Sequence, residues 1–212
     1  MSGNFDSVYA SKQIAREQNH LRRAVRSVYL RTLLKLTEGA VCDLGCGAGS
    51  FLRYAPHSSV GLDINPHAVA YCRANGLDAS VYDVVEDGFS LTPLMGRNIG
   101  TLLLNHVLEH FPESMSMLRT LLLRSHSLGI RRAVIVTPGK RGFAADPTHQ
   151  SYIDADFYLQ PSIFDRSGFR LQSLRYFPLP FQSAGDAFVY NELRAVLVAE
   201  GGSTKTHSRP PT

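Results

Sequence analysis

Residues 40–52 read Ala-Val-Cys-Asp-Leu-Gly-Cys-Gly-Ala-Gly-Ser-Phe-Leu, and no other stretch constrains the fold as tightly. A short apolar run ends in three alternating glycines, Gly45, Gly47 and Gly49, before an apolar-periodic segment. That pattern predicts a strand, a tight turn and a short helix over residues 50–54. Such a turn presents backbone N–H groups to a ligand. Glycine suits it because the chain must visit positive φ and let the ligand approach the backbone closely.

Two details separate the stretch from a dinucleotide fingerprint. Ser50 stands where a G-x-G-x-x-G pattern would place its third glycine. An acid, Asp43, precedes the first glycine by two residues. A carboxylate there repels a pyrophosphate and attracts a cation. A nicotinamide-dependent oxidoreductase is therefore disfavoured.

The downstream chain supplies the context. Residues 59–63 form a second apolar run ending in Asp63, which lies twenty positions after Asp43 (63 − 43). That is the spacing at which a Rossmann-like unit places a carboxylate on ribose hydroxyls, and a carboxylate can accept both hydrogen bonds of a vicinal diol. Asn65-Pro66 opens a helix expected over 66–74, closed by Asn75-Gly76. A third strand is expected over 79–84. It carries Asp83, which could accept from an adenine amino group or simply face solvent in a loop. Residues 99–104 are continuously apolar, as a central strand covered on both faces should be. They run into Asn105-His106-Val107-Leu108-Glu109-His110, and the C-terminal end of a central strand is where open α/β sheets keep their chemistry.

A helix over 113–127 and a fifth strand over 133–136 follow. The stretch 137–150 then reads as a long irregular loop with aromatic, basic and histidine residues, and such a loop inside a compact domain points to function. A helix over 155–166 is interrupted by Pro161. Strands over 169–177 and about 191–199 close the fold. This order predicts an α/β domain with a doubly wound, mostly parallel sheet. Upstream, residues 8–37 lack both Gly and Pro and repeat apolar positions at helical spacing. We expect a helical cap over 1–37, the main domain over 38–199 and a disordered tail over 200–212. The arginine-rich face of the cap reads as a solvated surface rather than a nucleic-acid or membrane surface.

Composition sets few further bounds. A chain of 212 residues with 44% hydrophobic and 19% charged residues fits one globular domain. The net charge of +4 does not demand a nucleic-acid partner. The three cysteines, Cys42, Cys46 and Cys72, form no disulfide framework and suit a reducing compartment. The first residues lack the apolar core of a signal peptide, and no run is long enough to span a membrane. A cytoplasmic protein is expected.

Asp43-Leu44-Gly45-Cys46-Gly47-Ala48-Gly49, Gly61-Leu62-Asp63 and Asn105-His106-Val107-Leu108-Glu109-His110 together resemble the successive signatures of class I S-adenosylmethionine-dependent methyltransferases. The resemblance covers residues 38–137, with looser features to about 198. It implies a Rossmann-like seven-stranded sheet whose last strand is antiparallel, and S-adenosylmethionine as cofactor. It also implies that Asp43 and the backbone of Gly45, Cys46, Gly47 and Gly49 hold the methionyl part of the cofactor. Asp63 and Ile64 would meet the ribose, Asp83 and Val84 the adenine, and Asn105 the end of the fourth strand beside the cofactor.

Methyl transfer to a hydroxyl needs a positioned base, most often histidine. His149, in the long loop, is the first candidate, with a loop-holding role as its alternative. His106 is the second, with packing beside the cofactor as its alternative. Glu109 and His110 start a helix and are read as capping or orienting residues. His106 and His110 stand four apart, a spacing that could ligate a metal on a helix, but none is expected. The loop 142–150 and Tyr190-Asn191-Glu192-Leu193 are similar to small methyltransferases of glycan and metabolite pathways, so a small-molecule or glycan acceptor is expected. The alternatives are a cofactor-binding, non-catalytic partner or regulator and a nucleic-acid methyltransferase. The latter's usual Asn-Pro-Pro-aromatic motif is missing after the fourth strand.

Overall fold

The structure is a computed structural model that describes residues 20–201, with side chains from residue 26 onward. The remaining parts of the expected cap and tail, 1–19 and 202–212, lie outside the described residues. The chain begins with α1 (His20–Leu34) and continues through β1 (Val41–Leu44), β2 (Val60–Asp63), α2 (Pro66–Ala74), β3 (Ala79–Val81) and β4 (Thr101–Asn105). It then forms α3 (Ser114–Ser127), β5 (Arg132–Pro138), α4 (Lys140–Ala144), β6 (Phe169–Phe177), α5 (Ala184–Ala187) and β7 (Glu192–Ala199).

The seven strands lie in the order β3-β2-β1-β4-β5-β7-β6. β1 to β5 pair in parallel, and β7 runs antiparallel between β5 and β6. The central strands are buried on both faces because their interior positions are apolar, Leu102 to Leu104 in β4 and Ala133 to Val136 in β5. In β4 and β5, Leu102, Leu104, Ala133 and Ile135 join the larger core with Leu118, Leu121 and Leu122 of α3. The alternate residues Leu103, Val134 and Val136 face Leu30 and Leu33 of α1. Each of these leucines contributes about 1.5–3 kcal/mol relative to leaving it in water.

α2 follows the sequence expectation residue for residue. Asn65 caps it by accepting from the His67 and Ala68 N–H groups, and Pro66 occupies the first turn. Two expected helices are absent. Residues 50–54 form turns instead: Gly47 and Gly49 hold φ of +51° and +73°, and after a single four-residue bond from Arg53 N to Gly49 O the bonds tighten to three residues, from Tyr54 N to Phe51 O and Ala55 N to Leu52 O. Residues 155–166 break into two 3₁₀ turns, Asp156–Leu159 and Pro161–Ile163, because Pro161 has no N–H to continue the first. The expected irregular loop after β5 contains the short helix α4.

Candidate active site

The C-terminal ends of β1, β2 and β4 open onto a cavity of about 550 Å³, within the range of small-molecule sites. Asp43, Gly45, Cys46, Gly47, Asp63, Ile64, Asp83, Val84, Asn105, His106 and His149 all line it. Gly49 does not. A Cβ there would meet Cys72 Sγ at 2.9 Å and Leu77 Cδ1 at 2.5 Å, so this glycine serves the packing of α2. Gly45, by contrast, sits at φ +78°, and a Cβ on it would strike Val107 Cγ2 at 2.5 Å. The turn can run past the end of β4 only without a side chain at that position.

One end of the cavity is acidic and tightly held. Asp63 Oδ2 accepts from the Gly47 N–H at 2.7 Å, and its Oδ1 accepts from the Asn65 N–H at 2.8 Å. The second strand's acid therefore fixes the glycine turn of the first. Burial raises the Asp63 carboxyl above its ordinary value, and the two N–H donors pull it back. Asp43 is 3% exposed. Burial and the neighbouring Asp63 charge push it up to about 8, against the pull of Arg26 from α1. A carboxyl raised in this way gains from a cation in the cavity. Asp83 Oδ1 accepts from the Val85 and Glu86 N–H groups, so it turns the chain at the cavity rim.

The middle of the cavity rests on a charge network in which the half-exposed His106 meets buried glutamates. His106 holds φ +58°, a left-handed conformation costly for a side chain with a Cβ. The turn sends its imidazole between two glutamates. Nδ1 lies 3.2 Å from Glu109 Oε1, and Nε2 lies 3.3 Å from Glu192 Oε2. Burial opposes charge on this ring, but the hydrogen bonds and charges of Glu109 and Glu192 outweigh it and push it up to about 10. Both ring nitrogens of His106 thus face carboxylates, the setting of a residue packed beside the cavity.

Glu192, at the start of β7, also accepts from Arg194 Nε at 2.7 Å and from the Tyr29 hydroxyl at 3.0 Å. That hydroxyl is 3.2 Å from Asn105 Oδ1 as well. The Arg194 guanidinium lies 3.8 Å from the Phe177 ring centroid and 4.9 Å from that of Tyr29, and it donates to Thr32 Oγ1 at 2.9 Å. The alternation of charged Glu192 and Arg194 in an otherwise apolar strand was the available sign of this network.

The far end is formed by the loop after β5. His149 Nδ1 is 2.9 Å from the Phe143 carbonyl, and its ring stacks on Phe143 at 5.5 Å. Nε2 lies 3.8 Å from Glu109 Oε1. The His110 ring centroid is 4.9 Å from that of His149, and His110 Nδ1 is 3.3 Å from the Thr148 carbonyl. Burial holds His110 below its ordinary value; the neighbouring His149 acts the same way, while Glu109 opposes it. The Glu109 carbonyl accepts from the Gln150 and Ser151 N–H groups at 2.8 and 3.1 Å, which ties the loop to the end of β4. His106 and His110 do not share a helix face: His106 precedes the 3₁₀ turn that carries His110. Glu109, His110 and His149 come together instead, with one ligand-type atom from each lying within 4.8 Å of the others.

Known proteins agree with this architecture. Residues 42–122 match the family model described as a methyltransferase domain. An S-adenosylmethionine-dependent methyltransferase from Archaeoglobus fulgidus superposes with a TM-score of 0.64 at 19% identity, over 92% of this chain and 99% of its own. Magnesium protoporphyrin IX methyltransferase from Synechocystis, solved with bound S-adenosylhomocysteine, gives 0.61 at 17% identity, over 92% and 96%. A Haloferax volcanii methyltransferase structure in complex with the Trm112 activator gives 0.63 at 17%, over 92% and 95%. No curated protein matches the chain. The matched segment is that of a methyltransferase domain, and the fold is the one these three structures share. No helix among the described residues is long and apolar enough to cross a membrane.

Proposed function

We propose that the protein transfers a methyl group from S-adenosylmethionine to a hydroxyl of a small-molecule or sugar-type acceptor. The observation that carries this reading is the continuity of the cavity, which joins the acidic end at Asp43 and Asp63 to the histidine end at His110 and His149. Donor and acceptor can then lie in one water-poor space in line for displacement, where positioning supplies most of the acceleration. Asp43 would hold the cofactor's ammonium and Asp63 its ribose hydroxyls. Asp83 and Val84 would flank the adenine, and Asn105 would close the cavity at the end of β4. The acceptor end mixes Phe111 and Tyr190 with Asp146, Thr148 and Gln150, which suits a hydroxylated ring better than a purely apolar one. His149 is the group assigned to the acceptor proton, since Nδ1–H donating to Phe143 O leaves the lone pair on Nε2.

The test is transfer of labelled methyl from the cofactor into metabolite, glycan and RNA extracts. Label in a small hydroxylated compound supports the reading, and label confined to RNA replaces it with the nucleic-acid alternative. An absence of transfer despite tight S-adenosylhomocysteine binding favours a non-catalytic partner.

Two binding predictions follow from the acidic end. Asp63→Ala removes the acceptor for two ribose hydroxyls and frees the Gly47 N–H, so S-adenosylhomocysteine affinity should fall roughly thirtyfold, about 2 kcal/mol. Calorimetric titration reads this directly, and unchanged affinity would remove Asp63 from the site. The second prediction concerns pH. Asp43 is pushed up to about 8 without a bound cation, and the cofactor's ammonium needs it ionised, so binding releases a proton. Affinity should fall by up to about tenfold per unit below about pH 8, and on the alkaline side it falls as the ligand's ammonium loses its own proton. A profile flat from pH 6 to 9 contradicts the placement of the ammonium on Asp43.

A further inference from the structure

We infer that Glu109, His110 and His149 form a binding site for one first-row divalent metal ion, with Zn²⁺ the best match. Two imidazoles and one carboxylate are the donor set of open, catalytic zinc centres, in which a fourth position is left for water or substrate. Three independent features of the geometry support it. First, the three ligand-type atoms lie within 4.8 Å of one another, with His149 Nε2 already 3.8 Å from Glu109 Oε1. A tetrahedral ion with bonds of about 2.1 Å needs its ligands about 3.4 Å apart, so small side-chain rotations suffice.

Second, the Glu109 side chain is 0% exposed, and its Oε2 makes no hydrogen bond among the described residues. A sealed carboxylate oxygen without a partner is costly, and coordination to a cation is one of the few ways to satisfy it. Third, each histidine places Nδ1 against a backbone carbonyl: His149 against Phe143 O at 2.9 Å and His110 against Thr148 O at 3.3 Å. That arrangement selects the tautomer with the lone pair on Nε2 and fixes the ring, as outer partners of metal-bound histidines do. His110 and His149 both line the cavity, so the open position faces it.

The metal site stands on these side chains alone; its use rests on the methyl-transfer reading above. An acceptor hydroxyl on the open position loses its proton to water. Its oxygen then forms the bond to the methyl carbon as the carbon–sulfur bond breaks, with the electron pair remaining on sulfur. With the ion bound, the lone pair on His149 Nε2 serves the acceptor through the metal; without it, that lone pair takes the proton as described above.

The test uses the full chain, stripped with a chelator and titrated with ZnCl₂ alone by calorimetry, then with Co²⁺ followed by its visible absorption. One equivalent of Zn²⁺ and a low-coordinate Co²⁺ spectrum are expected. His149→Gln and His110→Gln should each weaken Zn²⁺ binding by at least about a hundredfold, beyond the loss typical of an outer partner. Retained S-adenosylhomocysteine binding shows that these variants are folded. No Zn²⁺ binding by the wild type, or binding that survives equally in both variants, overturns the site. Zn²⁺ failing to bind while labelled methyl is still transferred removes the metal and leaves the transferase reading. Zn²⁺ binding at these residues without any methyl transfer leaves the metal and removes that reading.

Discussion

Replacing His149 by alanine is expected to lower turnover by at least about a hundredfold while S-adenosylhomocysteine binds as tightly as before. The size of the loss follows from removing a positioned proton acceptor or a ligand that activates the hydroxyl, each typically worth two to four orders of magnitude. The cofactor's affinity should hold because His149 lines the far end of the cavity, with its own contacts to Phe143, Glu109 and His110. Steady-state kinetics with the identified acceptor, run beside a calorimetric titration, separates the two quantities. Unchanged turnover would demote His149 to holding its loop. A parallel loss of cofactor affinity would show that the loop, rather than the imidazole, was damaged.

Arg194→Leu should be the most destabilising single change outside the apolar core. The guanidinium is 6% exposed, donates to Glu192 Oε1 at 2.7 Å and lies over the Phe177 ring. Its removal leaves Glu192, itself 4% exposed, with less positive charge around it. Breaking a buried pair on one side costs about 3–5 kcal/mol, most of it the stranded charge. Urea unfolding measures the loss as a shift of midpoint at constant slope. The double variant Glu192→Leu with Arg194→Leu should recover a large part of it, since an apolar pair of similar volume needs no desolvation. If the double variant is as unstable as the sum of the two single changes, the charges do not act on each other as drawn.

These two side chains also show where sequence reasoning stopped. Asp43, Asp63 and the glycine turn were legible because strand, turn and carboxylate are close in the chain and their spacing is set by one structural unit. The cavity collects them as expected, with Gly49 diverted to packing against Cys72. α2 and β6 were legible to the residue, since Asn65-Pro66 and the alternation in 169–177 are local signals. The His106 network was not legible. Glu192 reaches His106 across 86 positions, and Tyr29 reaches Glu192 across 163, through a register that no local pattern encodes. The same distance hid the meeting of His110 with His149, which needs the loop after β5 folded back onto Glu109. The partners of His106 were hidden for a related reason. A histidine at a strand end looks available until the two carboxylates that claim it are in view.

The position of β7 between β5 and β6 has a consequence for how the site comes into being during synthesis. The bonds from Gly47 and Asn65 to Asp63 lie within β1, β2 and the start of α2, which leave the ribosome early, and Asp43 gains its partner Leu103 only with β4. Glu192 arrives with the last strand and is set by the pairing of Pro138 with Glu192 and Phe177 with Glu192. A slip of one residue in that strand would turn Glu192 and Arg194 to the opposite face and leave His106 with Glu109 alone. The acidic end of the cavity is thus encoded well before the charges around His106 exist, so completion of the last strand is the step that finishes the cavity.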